Sequence, residues 1–245
     1  MTRPPAVIGG RRATLEAIRA GRALAVLVAS GSRQTEALRE VLEASDAAGV
    51  GVKEVPRREL DALGADHQGV AVSFREPVYL RERDLATYPF GDEDVVVVLD
   101  GITDPQNLGA AARSAEAAGV TMLITRIRRA GGPTPAAVRA SAGALLHLSH
   151  ARVANIARAI ERLKQVGFFV VGLDEKAEVS MYATPCPPGH VAIVLGSEGE
   201  GLSRLAREAC DALISLPMRG KVSSLNASAS LAAVLYAYVV PSRGA

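Results

Sequence analysis

The sequence predicts an α/β protein in two parts, a small α/β unit followed by a larger one built on a parallel sheet. Three observations carry this. Short apolar runs alternate with longer amphipathic segments, the pattern of strands joined by crossover helices. Val95-Val96-Val97-Val98-Leu99 is an uninterrupted run, as expected of a parallel strand covered on both faces. Between the parts, residues 76–94 break the rhythm with charges, prolines and scattered aromatics. The division is therefore 1–75, a linker over 76–94 with one short helix, and 95–245. A length of 245 residues suits one or two domains, at roughly 150 residues each.

The first part begins with a helical pattern over 12–20. Ala25-Val26-Leu27-Val28-Ala29 is a short buried strand. A second helix over 35–48 stops at Gly49. A strand over 50–55, a short helix over 57–63 and a strand over 70–74 complete the unit. In the second part, helix signals lie at 107–118, 134–141, 153–165, 202–209 and 224–239. Strand signals lie at 95–99, 121–125, 168–173, 191–195 and 212–216. No internal repeat is present.

Composition narrows the functional class. Hydrophobic residues make up 49% and aromatics 4%, so the core is built from Ala, Val, Leu and Ile. A net charge of +2 selects no partner by itself. Its distribution is uneven. Segment 120–165 carries Arg126, Arg128, Arg129, Arg139, Arg152, Arg158, Arg162 and Lys164 against Glu161 alone. Solvated helix faces account for any one of these residues. The excess as a whole favours a surface facing a polyanion. Cys186 and Cys210 lack metal-ligand spacing and read as reduced intracellular thiols. Met1–Pro5 has no apolar signal segment, and no uncharged apolar stretch reaches the roughly 18 residues of a membrane span. A soluble cytoplasmic protein is expected, with no metal.

Three polar loops follow predicted strands, where α/β proteins place ligands. The first, Asp100–Gly109, contains Asp104-Pro105, an N-cap followed by proline at the first helical position. Arg113 lies six residues after Asn107, about 9 Å further along the helix. On a helix of small apolar residues it is expected on the buried side, beside an anion. The second loop, Gly196-Ser197-Glu198-Gly199-Glu200-Gly201, does not have dinucleotide spacing. Its two carboxylates stand where a pyrophosphate would need positive potential, so it suits a neutral or cationic ligand. The third runs from Leu216-Pro217-Met218 to Ser223-Ser224-Leu225-Asn226. Ser223 or Ser224 would serve as N-cap, leaving Asn226 inside the first turn, where Asn is a poor helix former.

Together these loops resemble the three signature motifs of the SpoU/TrmH family of SPOUT methyltransferases. Asn107 with Arg113 matches the first. Gly196, Glu198, Gly199 and Gly201 match the second, and Leu216-Pro217-Met218 with Ser224-Leu225-Asn226 matches the third. Leu216 stands where isoleucine is usual, and Ala227 and Ala229 replace bulkier apolar residues. Val7–Gly10, Leu15–Ile18, His67-Gln68-Gly69-Val70, Ser141-Ala142-Gly143-Ala144 and Asn155 are similar to the rRNA-modifying branch.

The resemblance implies a C-terminal SPOUT domain with a parallel sheet and a deep trefoil knot. It also implies a small N-terminal substrate-binding domain with a ribosomal-protein-like fold. The implied reaction transfers a methyl group from S-adenosyl-L-methionine to a ribose 2′-hydroxyl of RNA, a guanosine of large-subunit rRNA, in a homodimer. Asn107, Arg113, Glu198, Ser224 and Asn226 take catalytic positions. Leu195, Gly196, Leu216, Met218 and Leu225 receive the methyl donor, and Arg126, Arg128, Arg129 and Arg139 are candidates for RNA contact. The alternatives are a tRNA ribose methyltransferase, a non-catalytic RNA-binding SPOUT protein and a nucleotide-dependent oxidoreductase. The acids of the second loop argue against the last. His67 and Gln68 are read as shaping a turn.

Overall fold

The computed structural model describes residues 5–127, 134–221 and 224–244. Within them, ten strands form two sheets. The first sheet contains β1 (Ala6–Gly9), β2 (Ala23–Ala29), β3 (Val52–Val55) and β4 (Val70–Phe74) in the order β1-β4-β2-β3. β4 runs antiparallel to β1 and β2, and β2 runs parallel to β3. Helices α1 (Arg11–Arg19) and α2 (Glu36–Ala47) cover the face that presents Ile8, Val26, Val70, Val72 and Phe74. Helix α3 (Arg57–Asp61) covers the other through Leu60, against Ala29 and Ala71. Thr35 caps α2 by accepting from Leu38 N at 3.3 Å.

The second sheet is wholly parallel. It comprises β5 (Val95–Asp100), β6 (Met122–Arg126), β7 (Ser149–Val153), β8 (Phe169–Leu173), β9 (Val191–Gly196) and β10 (Ala212–Ile214). The order is β10-β8-β9-β5-β6-β7. Alternation along the strands divides the core. Val95, Val97, Leu99, Ile193 and Leu195 face helices α4 (Pro105–Ala117), α5 (Pro135–Ala140) and α8 (Ala227–Val234). Val96, Val98, Ala192 and Val194 face helices α6 (Ile156–Gln165) and α7 (Arg204–Ala209).

This sheet positions the site. β5 and β9 are adjacent, with Asp100 opposite Gly196 at their C-terminal ends. The helix after β5 lies on one face and the helix after β9 on the other. The two outgoing loops therefore diverge and leave a crevice, the topological switch point of an open parallel sheet.

Two strands went unread in the sequence. β1 is short. β7 is an edge strand whose Ser-His-Ala-Arg-Val sequence interrupts the apolar pattern. His150 is buried there because its Nε2 meets Thr125 Oγ1 at 2.8 Å and Tyr79 approaches edge-on. Residues 80–90 lie against the second sheet rather than hanging free. Leu80 exchanges backbone hydrogen bonds with His150 and Arg152, a 3₁₀ turn spans Glu82–Thr87, and Phe90 packs on Phe168. The last helix begins at Ala227, not 224, and Leu235–Val239 continue it as a π-helical turn.

Candidate active site

Asn107 occupies the first turn of α4. Asp104 caps that helix through Gln106 N (3.0 Å), and Pro105 sets its first φ. Gly109, one turn on, allows α5 to approach. A Cβ there would stand 2.4 Å from Ala140 Cβ and 2.7 Å from Ala137 O. A glycine inside a helix costs about 1 kcal/mol relative to alanine, and this close contact accounts for it.

The loop after β9 is tied at both ends. Ser197 and Gly201 exchange backbone hydrogen bonds at 3.2 and 3.0 Å. A Cβ on Gly196 would lie 2.0 Å from the Gly201 carbonyl carbon, so only glycine allows the loop to fold back this tightly. Ser203 N donates to Asp100 Oδ2 at 2.9 Å, fixing the loop to the end of β5.

The three loops meet at Glu198, Asn107 and Asn226. Glu198 Oε1 accepts from Asn107 Nδ2 (3.1 Å), Asn226 Nδ2 (2.5 Å) and Ala227 N (3.2 Å). Asn226 Nδ2 also donates to Asn107 Oδ1 at 2.9 Å. Each side of this triangle joins a different pair of loops.

Asn226 is not inside the first turn of α8. It is the N-cap, accepting from Ser228 N (2.9 Å) and Ala229 N (3.4 Å) through Oδ1. One amide starts the helix with its oxygen and closes the triangle with its nitrogen. A serine cap is too short to do both. Ser223 lies outside the described residues.

Beside the triangle is a cleft of about 310 Å³. Leu195, Gly196, Leu216, Met218 and Leu225 all line it, with Glu198 and Ser224. The sequence reading missed Asp174, Glu175, Lys176, Arg207 and Ser230, which share the lining. Arg207 is held by Asp174 at 2.5 Å. Among the described residues, the carboxylates of Asp174, Glu175, Glu198 and Glu200 outnumber the cations Lys176 and Arg207, so the cleft suits a ligand carrying positive charge.

Arg113 departs from expectation. It is exposed, and makes no hydrogen bond or ion pair among the described residues. The buried stripe of α4 is Leu108, Ala111, Ala112 and Ala115, and position 113 falls off it. The same helix thus presents Asn107 to the triangle and Arg113 to solvent.

Arg126 is half-buried and pairs with the buried Asp100, 3.1 Å away. A carboxylate ending the apolar strand β5 was the available signal. Arg128 and Arg129 lie outside the described residues, and Arg139 is exposed. His67 does shape a turn. Its Nδ1 accepts from Gly69 N at 3.0 Å, and its Nε2 meets Asp61 Oδ1 at 2.9 Å. The free thiols of Cys186 and Cys210 take no part in the triangle. Burial raises both, Cys210 to about 12.

Comparisons with known proteins bear on the fold and family. Residues 94–236 match the profile described as SpoU rRNA Methylase family, and residues 7–80 match RNA 2'-O ribose methyltransferase substrate binding. A putative TrmH family tRNA/rRNA methyltransferase of Bacillus subtilis, YacO, is 36% identical over 93% of this chain and 92% of its own. The 23S rRNA (guanosine-2'-O-)-methyltransferase RlmB of Photobacterium profundum is 39% identical over 83% of this chain and 84% of its own. Among solved structures, an RNA 2'-O ribose methyltransferase superposes with a TM-score of 0.80 at 30% identity, covering 97% of this chain and 88% of its own. AviRb from Streptomyces viridochromogenes, in complex with AdoMet, gives 0.78 at 27% identity, over 97% and 90%. The fold agrees with these matches over nearly the whole length, and the chain belongs to the SpoU rRNA methylase family.

Proposed function

We infer that this chain is an S-adenosyl-L-methionine-dependent RNA methyltransferase acting on a ribose 2′-hydroxyl, that of a guanosine in large-subunit rRNA. The observation that carries this is the closure of Asn107, Glu198 and Asn226 at the mouth of an acidic cleft. The RlmB relatives and the AdoMet-bound AviRb structure support the donor and the rRNA branch.

The donor fits the cleft. Its sulfonium and ammonium groups suit the four carboxylates, and Leu195, Leu216 and Met218 offer apolar surface to its adenosine. When bound, it supplies an electrophilic methyl group. The chain's task is then alignment of the attacking hydroxyl, worth about 7–11 kcal/mol at best, and removal of one proton. Glu198 Oε1 already receives three donors, so Glu198 and the two asparagines act as positioning groups that hold the loops around the reacting atoms. Arg113, exposed and unpartnered among the described residues, clamps an RNA phosphate and favours the ionised hydroxyl electrostatically. Arginine is effectively never deprotonated, so the proton goes to another acceptor.

The same reading includes a substrate-binding domain ending near residue 75 and a methyltransferase domain from 95. Trefoil threading of the C-terminal segment, a homodimer and a cytoplasmic location also belong to it. Among the described residues, no helix is long and apolar enough to cross a membrane. Light scattering tests the dimer. The activity test incubates the purified chain with labelled donor and unmodified rRNA, and maps 2′-O-methyl positions by mass spectrometry. A single methylated guanosine is expected. Absence of donor binding by calorimetry would return the chain to the non-catalytic alternative.

A further inference from the structure

A second cleft, of about 380 Å³, lies where the first sheet's unit meets α4 and α5. Among the described residues, Arg11, Arg12 and Arg139 line it against a single carboxylate, Asp66. Arg11 is committed, donating to Thr35 Oγ1 (2.9 Å) and Gln68 O (3.2 Å). Arg12 and Arg139 are exposed. Arg12 has no partner among the described residues, and Arg139 makes one long contact, 3.5 Å from Leu63 O.

The backbone supplies a second observation. Among the described residues, two that are not glycine have positive φ: Gln68 at 52° and Ala142 at 51°. Both line this cleft, from opposite units. Such conformations are strained and persist where surrounding structure over-determines them, most often at ligand sites. At Gln68 the constraint is visible. His67 is buried, its ring bridges Asp61 and Gly69 N, and its Cβ would be only 2.7 Å from a Cβ placed on Gly9.

We propose that this inter-unit cleft is the dock for the RNA ribose-phosphate backbone, with Arg12 and Arg139 contacting phosphates and Gln68 presented rigidly to the strand. The proposal rests on the methyltransferase reading and deepens it, because a residue of the cleft is the chain neighbour of a residue of the triangle. Gln106 lines the cleft, and the next residue, Asn107, belongs to the triangle. A strand held by Arg12 and Arg139 is thereby delivered to the N-terminus of α4. The cleft is separate from the acidic donor cleft, and its opposite charge suits a polyanion.

The test uses the full chain and unmodified large-subunit rRNA transcribed in vitro. It measures RNA binding by filter retention across a salt series, methyl transfer kinetics and donor affinity by calorimetry. Replacing both Arg12→Ala and Arg139→Ala should raise the RNA KM at least tenfold and leave donor affinity unchanged. It should also flatten the slope of log affinity against log salt by about 1.4, from roughly 0.7 per single-strand phosphate contact. Arg12→Lys with Arg139→Lys should retain most of that slope. Gln68→Gly should weaken RNA binding while holding or raising the thermal midpoint, since glycine accepts the positive φ. A control pair on the opposite face of the sheet, Arg83→Ala with Arg162→Ala, should leave the slope unchanged.

An unchanged KM and slope in the alanine pair, with normal methylation by the parent chain, overturns the cleft assignment alone. A parent chain that binds this RNA without methylating it puts the functional reading at fault, while the salt slope still tests the cleft. A parent chain that does not bind the RNA overturns both.

Discussion

The sharpest probe of the triangle is Asn226→Asp. Asparagine and aspartate are nearly equal as N-caps, so the start of α8 should survive. The other half of the side chain changes. Asn226 Nδ2 donates to Glu198 Oε1 at 2.5 Å and to Asn107 Oδ1 at 2.9 Å, and the variant puts a carboxylate oxygen there instead. Two hydrogen bonds are lost, about 1 kcal/mol each. Two like charges about 3 Å apart then repel by about 1.4 kcal/mol at the dielectric of water, the appropriate limit for these exposed groups. The sum is about 3 kcal/mol, a fall of roughly 6–12 °C in thermal midpoint for a chain of this size. Donor binding should weaken with it, because Glu198 also lines the cleft. Adding Glu198→Gln should restore complementary polarity, since the new amide can donate to the new carboxylate. Differential scanning calorimetry and donor titration of parent, singles and double complete a mutant cycle. A coupling below about 0.5 kcal/mol would mean the side chains act independently, and the argument for a single closed unit would fail.

Three further outcomes follow from the same geometry. Gly196→Ala sets a methyl group against Gly201 backbone, which cannot move aside; donor binding should be lost, with about 1–3 kcal/mol of destabilisation, read by calorimetry and thermal melting. His150 is held neutral, its pKa lowered to about 4 chiefly by burial and also by Arg152. The unfolded chain takes up that proton below about pH 6.5, so stability should fall by about 3 kcal/mol between pH 6.5 and 4; His150→Asn should flatten this part of a urea-melt pH series. Arg113→Lys keeps the charge but loses the planar fork; kcat/KM for RNA should drop at least tenfold at unchanged donor affinity, and full turnover would remove the phosphate-clamp role.

How much the sequence disclosed depended on whether a signal was local. β4, β5 and β9 were legible because strands covered on both faces are continuous apolar runs. β7 was not, because His150 and Arg152 find their partners in β6 and residues 79–80, contacts absent from any local pattern. At the site, residue type and spacing brought out Asn107, Glu198 and Asn226, yet the division of labour within Asn226 needed the helix start at Ala227. Arg113 is exposed although its small, apolar neighbours suggest a buried position. The stripe of Leu108, Ala111, Ala112 and Ala115 leaves it off the buried face from spacing alone. Asp100, which ties the second loop to β5 and holds Arg126, has no local signal because its partners lie on other strands and loops.

The first turn of α4 explains why so few residues can coordinate two ligands. Gln106 and Asn107 are consecutive, so their side chains diverge by about 100° around the helix axis. One lines the basic cleft between the units, and the other is bonded into the triangle that borders the acidic cleft. Both are fixed by one cap at Asp104, and by the close packing of α5 that Gly109 allows. A shift of that turn would move both cleft walls together. Gly109→Ala, which lies in neither cleft lining, should then impair donor and RNA binding in parallel, as measured by calorimetry and filter retention. Loss of one without the other would show that the two clefts are positioned independently.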